Sequence, residues 1–363
     1  MRLLKITLYM ILPVMALISC REEAPIAEEG NAKMILTVMG DTSITNESVF
    51  VTLENAKVTA SSEYGYIRGY TDANGVLTLE GIPSSTYNIT TSLTHPAYSS
   101  ILMSGSIDDI DIISGSIVYD TIYTSQISST GIAINEIYSA GPKNDIYFFY
   151  DQFLEIYNYS DETKYLDGII VARVGGEEED GEGADLDNDG DMDDMTYIFK
   201  FPGSPGEENY PFEPGEFLVL AGRAINHQLS VSTAVDLSHA DWEFYNQYST
   251  SDFDNPDVPN LSNMRSDRTV DFLINLISDV VIITTGEDDN WEDGIDIDTI
   301  LDGVQYKSSL TYKKTIDPRV DKGIVISPAR YSGKSMQRVE PGEDTNNGTA
   351  DWEILSSPTP GYQ

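Results

Sequence analysis

Sixty acidic residues against 21 basic ones give this chain of 363 residues a net charge of −39. A field of that sign repels phosphate backbones, so nucleic-acid binding is disfavoured, as is adsorption to anionic lipid headgroups; it favours solubility and cations. The single cysteine, Cys20, rules out a disulfide within the chain, and His95, His227 and His239 show no shared metal-ligand spacing.

The length predicts two or three domains with real cores. Thr, Val, Ile and 22 Tyr dominate short alternating runs, and no long helical periodicity appears, so the fold class is all-β. The chain opens with a basic Met1-Arg2-Leu3-Leu4-Lys5 and an apolar run from Ile6 to Ile18, too short to span a bilayer as a mature helix. Leu17-Ile18-Ser19-Cys20 resembles the bacterial lipobox, in which the cysteine is acylated and becomes the first residue. The resemblance implies a signal peptide over 1–19, a lipid anchor at Cys20 and a flexible tether over 20–32. Arg21-Glu22-Glu23 looks like the signal that sends Bacteroidota lipoproteins to the outer face of the outer membrane; periplasmic retention is the alternative.

Residues 33–129 form the first predicted domain. Strands are expected at Met34–Val38, Val49–Leu53, Lys57–Ala60, Val76–Leu79, Tyr87–Leu93 and Ile117–Tyr123, punctuated by Gly, Asn, Ser and Pro. The stretch from Thr71 to Ile89 reads as a hairpin turn over Asp72–Gly75, a second turn at Pro83, and a return to the core at Tyr87. It resembles carboxypeptidase-regulatory-like and collagen-adhesin B-type domains, a prealbumin-like sandwich. Thr91 stands where some of those adhesins carry the Glu that assists an isopeptide bond, so no such bond is expected.

Residues 130–363 form the second. Ile134-Asn135-Glu136-Ile137, Phe153-Leu154-Glu155-Ile156-Tyr157-Asn158 and Tyr165-Leu166-Asp167-Gly168 are followed by Phe212 to Leu220, Leu301 to Tyr306, and a close running from Ser335-Met336-Gln337-Arg338 through Asp351-Trp352 to Ser357-Pro358-Thr359-Pro360-Gly361. In that order the six blocks resemble the lamin-tail domain, an Ig-like sandwich, and they bring over no catalytic residue. Two such sandwiches in tandem behind a lipobox resemble an uncharacterised family of Bacteroidota surface lipoproteins. That resemblance implies an accessory role beside an outer-membrane β-barrel, for instance a TonB-dependent importer.

Two acidic inserts interrupt the second domain, at about 175–195 and 286–300. The first holds eleven acidic residues between Glu177 and Asp194. Asp185, Asp187, Asp189, Gly190 and Asp193 match positions 1, 3, 5, 6 and 9 of a calcium loop, with Asp191 at position 7 and Thr196 where a bidentate Glu is usual. Ca2+ held by Asp185, Asp187, Asp189, Asp191 and Asp193 is one reading, with Asp194 to compensate for Thr196; an acidic loop kept soluble by repulsion is the other. In the second insert Asp293, Asp296 and Asp298 follow no known ligand spacing, and a solvated loop is expected.

Trp242, Phe244, Tyr245, Tyr248 and Phe253 cluster between turn-rich segments, either as core or as a surface that stacks on glycans. Tyr147-Phe148-Phe149-Tyr150 is expected to pack as an apolar lip. No G-x-S-x-G elbow, free-cysteine nucleophile or phosphate-cradling G-x-x-x-x-G-K is present, and among so many carboxylates a neighbouring pair has no evidential weight. The expected function is therefore non-enzymatic: a lipid-anchored surface binding or assembly module. The alternatives are a free-standing adhesin or glycan binder and a surface hydrolase.

Overall fold

The structure, a computed structural model, describes residues 30–43, 49–128, 130–144, 148–175, 183–308 and 314–363. Cys20, the signal-peptide and tether segments before residue 30, and Tyr147 lie outside them. The chain is all-β, built as β-sandwiches, and among the described residues one short α-helix appears, α1 (Gly348–Asp351).

The first sandwich uses β1 (Ala32–Asp41), β2 (Phe50–Thr52), β3 (Lys57–Ser62), β4 (Gly65–Tyr70), β5 (Val76–Ile82), β6 (Ser85–His95), β7 (Tyr98–Ile112) and β8 (Ile117–Ser128). One layer pairs β1 with β2, β5 and, in parallel, β8; the other runs β7-β6-β3-β4, and β7 meets β8 at one corner. β1 alternates strictly, with Met34, Leu36 and Val38 turned inward against Val58, Ile89 and Ile122. Two strands were not foreseen. The long β7, YSSILMSGSIDDIDI, is broken by Ser, Gly and Asp that read locally as loop, and β4 contains Gly65 and Gly69. The turn at Asp72–Gly75 is present, with Gly75 at φ 72° and the Asp72 carboxylate accepting from the Asn74 and Val76 N–H groups. It is not a hairpin, however: β4 pairs with β3 in one layer and β5 with β1 in the other, so the turn crosses the sandwich. Tyr87 is buried and donates to the Pro83 carbonyl at 3.1 Å.

The second sandwich stacks two six-stranded sheets. One runs β17 (Trp242–Glu243), β16 (Phe217–Ala221), β10 (Phe153–Asn158), β9 (Ile132–Tyr138), β23 (Ser335–Arg338), β24 (Trp352–Leu355). The other runs β18 (Ser262–Asn263), β14 (Met195–Lys200), β12 (Ile170–Val174), β19 (Ser278–Thr284), β21 (Ile300–Lys307), β22 (Val325–Ile326). Pairs of short strands flank them: β11 (Lys164–Tyr165) with β15 (Pro211–Phe212), and β13 (Asp191–Met192) with β20 (Ile295–Asp296). Leu166 to Ile169 is a turn, closed by the Ile169 N–H to the Leu166 carbonyl, and β12 begins at Ile170.

Ile134, Ile156, Val171, Phe199, Val281 and Trp352 fill the space between the sheets. Both outer faces are covered as well. Tyr138, Phe153 and Val219 lie under Leu237 and Val258, while Ala172, Ile198 and Ile282 lie under Met192, Ile295 and Ile316. That double burial is why β9 and β10 are buried along almost their whole length rather than alternating.

The loop after β23 joins the two sandwiches. Lys57 Nζ of β3 pairs with Glu340 (2.9 Å) and Glu343 (3.5 Å), and Arg68 of β4 pairs with Glu340. Asn347 Nδ2 donates to Ser106 (3.0 Å) and Asp108 (2.8 Å), and Asn88 Nδ2 donates to the Thr349 carbonyl (3.1 Å). Among the described residues no helix is long and apolar enough to cross a membrane.

Candidate functional site

The two acidic inserts, a hundred residues apart in sequence, meet. β13 and β20 pair antiparallel, Asp191 opposite Asp296 and Met192 opposite Ile295, and the Ile297 N–H donates to the Gly190 carbonyl at 3.1 Å. Met192, Ile295 and Ile297 are buried in the outer face of the β12–β14–β19 sheet. Each such side chain contributes about 1.5–3 kcal/mol when buried, which offsets the repulsion between the carboxylates above. The inserts are thus planted, on apolar feet, as one anionic end of the second sandwich. The carboxylates of the second insert are mostly exposed, and its turns are tied locally: Asp288 accepts from the Asn290 and Asp296 N–H groups, and Asp296 from that of Asp298.

Within the first insert, Asp185, Asp187 and Asp189 each offer an oxygen within 4.8 Å of the others. The loop that does this is held from inside. The Gly190 N–H donates to Asp185 Oδ2 (3.2 Å), the Asp191 N–H to Asp189 Oδ1 (3.1 Å), and the Leu186 N–H to Asp193 Oδ2 (2.9 Å). Asn188 sits at φ 64° and Gly190 at φ 109°, left-handed positions that Asn and Gly adopt at least cost. Asp193 closes the base of the loop. Asp191 turns toward the second insert, where Asp288, Asp293 and Asp296 surround it. Thr196, at the twelfth position, donates its hydroxyl to the Arg173 and Gly175 carbonyls and so faces the strand.

The electrostatics follow from the crowding. Partial desolvation, then Asp189 and Asp193, raise Asp187 above the ordinary carboxylate range. Desolvation, then Asp189, Asp288, Asp296 and Asp293, do the same to Asp191. A cation stands against the first insert. Arg319 Nη2 donates to Asp185 Oδ2 (2.7 Å) while its Nε donates to Asp317 (2.9 Å). Asp185 keeps a second oxygen, Oδ1, that is out of water and, among the described residues, accepts no hydrogen bond, on a side chain only 10% exposed. Hard carboxylate oxygens around a glycine turn, one of them buried and unsatisfied, are the donor set a Ca2+-sized ion takes. The residues fit such an ion with Asp185, Asp187 and Asp189 as ligands; Arg319 competes for Asp185.

The aromatic cluster divides. Trp242 and Phe244 are buried against Phe199, Phe201 and Phe272 as core, whereas Tyr248 and Phe253 are exposed and Tyr245 lies between. Phe148 packs edge-on against His227, and the Arg223 guanidinium lies 4.2 Å over the Tyr150 ring.

A second polar feature was not singled out from sequence. Arg338, fully buried, donates to the Ile134 and Glu343 carbonyls and to Asp302, with Asp344 and Asp351 at 3.5 Å. Burial pushes Asp302 up against the pull of Arg338, and Asp351 likewise. Nearby Asp321, pushed up by burial to about 6, accepts from the Gly323 and Gly348 N–H groups. Every one of these carboxylates has a donor, so the network is architectural. The signal for it in sequence was the ordered blocks: Arg338, Asp302 and Asp351 each lie in or beside one.

Residues 213–293 match the family model described as "Protein of unknown function (DUF4876)". The match runs from just after β15 through the first half of the second insert. No curated protein matches the chain. Among solved structures, a DUF4876 family protein from Bacteroides thetaiotaomicron is similar at 20% identity and a TM-score of 0.55, covering 88% of this chain and 94% of that one. The TIE protein of Bacillus anthracis is similar at 14% identity and a TM-score of 0.19, over 53% of this chain and 28% of that one. The Bacteroides likeness spans both sandwiches and shows a shared fold. The family match lies inside the second sandwich.

Proposed function

We propose that this protein is a non-enzymatic, lipid-anchored module on the outer face of the outer membrane, an accessory subunit of a β-barrel importer or complex such as a TonB-dependent one. In this reading a carboxypeptidase-regulatory-like sandwich stands next to the membrane and a lamin-tail-like sandwich presents the anionic end beyond it. The address is supported by Cys20 in its lipobox and by Arg21-Glu22-Glu23. The observation that carries the binding role is the pairing of the two inserts. Carboxylates that repel one another are held together on buried Met192, Ile295 and Ile297, an arrangement useful for recognition and costly without it. Ca2+ bound by Asp185, Asp187 and Asp189, with Asp193 closing the loop and Asp191 joining it to the second insert, would stiffen that end.

Purification of the tagged protein from native membranes, with mass spectrometry of what accompanies it, tests the subunit role. A stoichiometric outer-membrane barrel supports it; recovery without a partner after gentle extraction and crosslinking sinks it. Melting with Ca2+ and with chelator tests the ion, and a transition that Asp187→Ala and Asp189→Ala leave unmoved in both conditions removes it. A free-standing glycan binder is the second reading, favoured by exposed Tyr248 and Phe253; purified-glycan arrays decide it. Turnover of a polysaccharide or peptide by the pure protein would overturn the non-enzymatic reading.

A further inference from the structure

We propose that the outward face of the β1–β8 layer of the first sandwich rests on the bilayer that holds the lipid anchor; this rests on the anchor reading above. Ile117, Tyr119 and Tyr123 alternate outward along β8 and are 56%, 71% and 62% exposed. In the parallel register they stand beside Lys33, Ile35 and Met39 of β1, and Phe50 of β2 packs edge-on against Tyr123 at 5.8 Å. Ile113, in the turn leading into β8, is 73% exposed. Exposed apolar residues are ordinary singly; a row of them along one sheet face marks a contact surface.

The charge pattern narrows the contact. Lys33 pairs with Glu80 at one end of this face and Asp41 lies at the other. Between them the cross-strand rows are Thr78–Ile35–Tyr119, Val76–Thr37–Thr121 and Met39–Tyr123, with no carboxylate. Asp120 alternates to the other side of β8. In a chain of net charge −39 such a face is where headgroups can be approached without the repulsion that the rest of the surface would meet. Tyrosine, with an apolar ring and a polar tip, suits the depth of the membrane–water interface, and isoleucine suits the level below it.

The tether supplies the occupant. Gly30 lies ten residues beyond Cys20, a reach of at most about 35 Å even when fully extended. The chain then enters β1 beside the Ile113 turn, where Asn31 Oδ1 accepts from Ser114 Oγ (2.8 Å) and from the Gly115 N–H (2.6 Å). Acyl chains on Cys20 therefore enter the membrane within that distance of Ile113 and Ile117.

The test uses the full acylated protein in phosphatidylcholine vesicles, with and without bromine on the lipid chains. Tyr119→Trp places a reporter on the face, and Leu229→Trp places one on an exposed position of the second sandwich. Bromolipid is expected to quench the Tyr119→Trp protein at least about twofold more than the Leu229→Trp protein, as interfacial depth requires. Equal quenching while the protein still floats with the vesicles overturns the docking and spares the anchor. Failure to float overturns both. A photocrosslinker in place of Tyr119, in native membranes, is expected to capture lipid. Capture of a second copy or of another protein instead, for example on the edge of β8 left free by β7, overturns the docking.

Discussion

Glu155 lies directly opposite Glu136 in the β9–β10 register, and both side chains are fully buried. Like charges in that position repel, so the pair is held by donors. Asn135 Nδ2 and the Gly361 N–H donate to Glu155 (3.1 and 2.6 Å), while the Thr359 N–H and hydroxyl and Gln337 Nε2 donate to Glu136. The segment from Thr359 to Gln363 is in effect a strap laid across two carboxyl groups.

This relationship sets a pH dependence. Burial pushes Glu155 up to about 8 from an ordinary 4.5, with Glu136 adding to the shift, and it raises Glu136 as well. Because the folded value lies above the unfolded one, the contribution to stability is complete below pH 4.5 and is lost as pH rises through 8. Asp151, Asp302 and Asp321, each pushed up by burial to about 6, act in the same direction at lower pH. Stability is therefore expected to fall as pH rises from about 5 to 8, by up to about 1.4 kcal/mol per pH unit for Glu155 between its unfolded and folded values, and to level off above pH 8. Glu155→Gln, which keeps an acceptor oxygen and cannot ionise, should be less stable than the parent at pH 6 and show a shallower fall between pH 5 and 8. Urea titrations read by tryptophan emission report this, since Trp242, Trp291 and Trp352 all lie in the second sandwich. Parallel pH profiles for parent and variant would contradict it.

Arg338 is the only cation among the described residues that reaches Asp302 and Asp351 together. Removing one partner of a buried pair leaves the others uncompensated, at about 3–5 kcal/mol. Arg338→Ala is expected to destabilise the second sandwich by that amount. Arg338→Lys should recover less than half, because a single ammonium cannot replace a fork that serves the Ile134 carbonyl, the Glu343 carbonyl and Asp302 at once. Full recovery by lysine would show that charge matters more than geometry here.

The joint between the sandwiches is largely electrostatic, and Glu340 is its centre, facing both Lys57 and Arg68. Glu340→Lys sets three cations against one another at a side chain only 13% exposed. The two sandwiches have separate cores, so each should survive the change while their coupling does not. A single calorimetric transition in the parent is expected to split into two in the variant, and scattering should report a larger radius of gyration. One transition at an unchanged temperature would mean that the Asn347 and Asn88 contacts suffice.

What could be read from the sequence was whatever is local. β1, β6 and β8 announced themselves by β-branched alternation, and Asp185, Asp187 and Asp189 by a spacing that a single turn brings together. The Ser, Gly and Asp residues of β7 hid a 15-residue strand, because its pairing with β6 and β8, not its propensity, makes it one. That Asp191 faces Asp296 was not legible, since it depends on a register between segments a hundred residues apart. Nor was the exposed face of β8: Ile117, Tyr119 and Tyr123 alternate with Val118 and Ile122, and nothing local says which set faces water. The ordered blocks pointed to Glu136, Glu155, Arg338 and Asp351, but their meaning, a carboxylate strap and a buried ion network, appears only once the strands are assembled.

The anchoring of the acidic end gives the last prediction. Ile295 is fully buried and pairs with Met192 in the β13–β20 register. Ile295→Ala removes apolar contacts from a site above the sheet, where such truncations cost about 2–5 kcal/mol. The loss should be local, because the core between the two sheets does not depend on Ile295. Hydrogen exchange is expected to accelerate at Met192 and Ile297, whose amides are held by this pairing and by Gly190, and to stay slow across β12 and β19. The two inserts would then separate, since carboxylates at Asp191, Asp288, Asp293 and Asp296 repel once nothing beneath holds them together. If Met192 and Ile297 keep their protection in Ile295→Ala, the inserts are joined by something other than their apolar feet, and a cation between the carboxylates becomes the leading explanation.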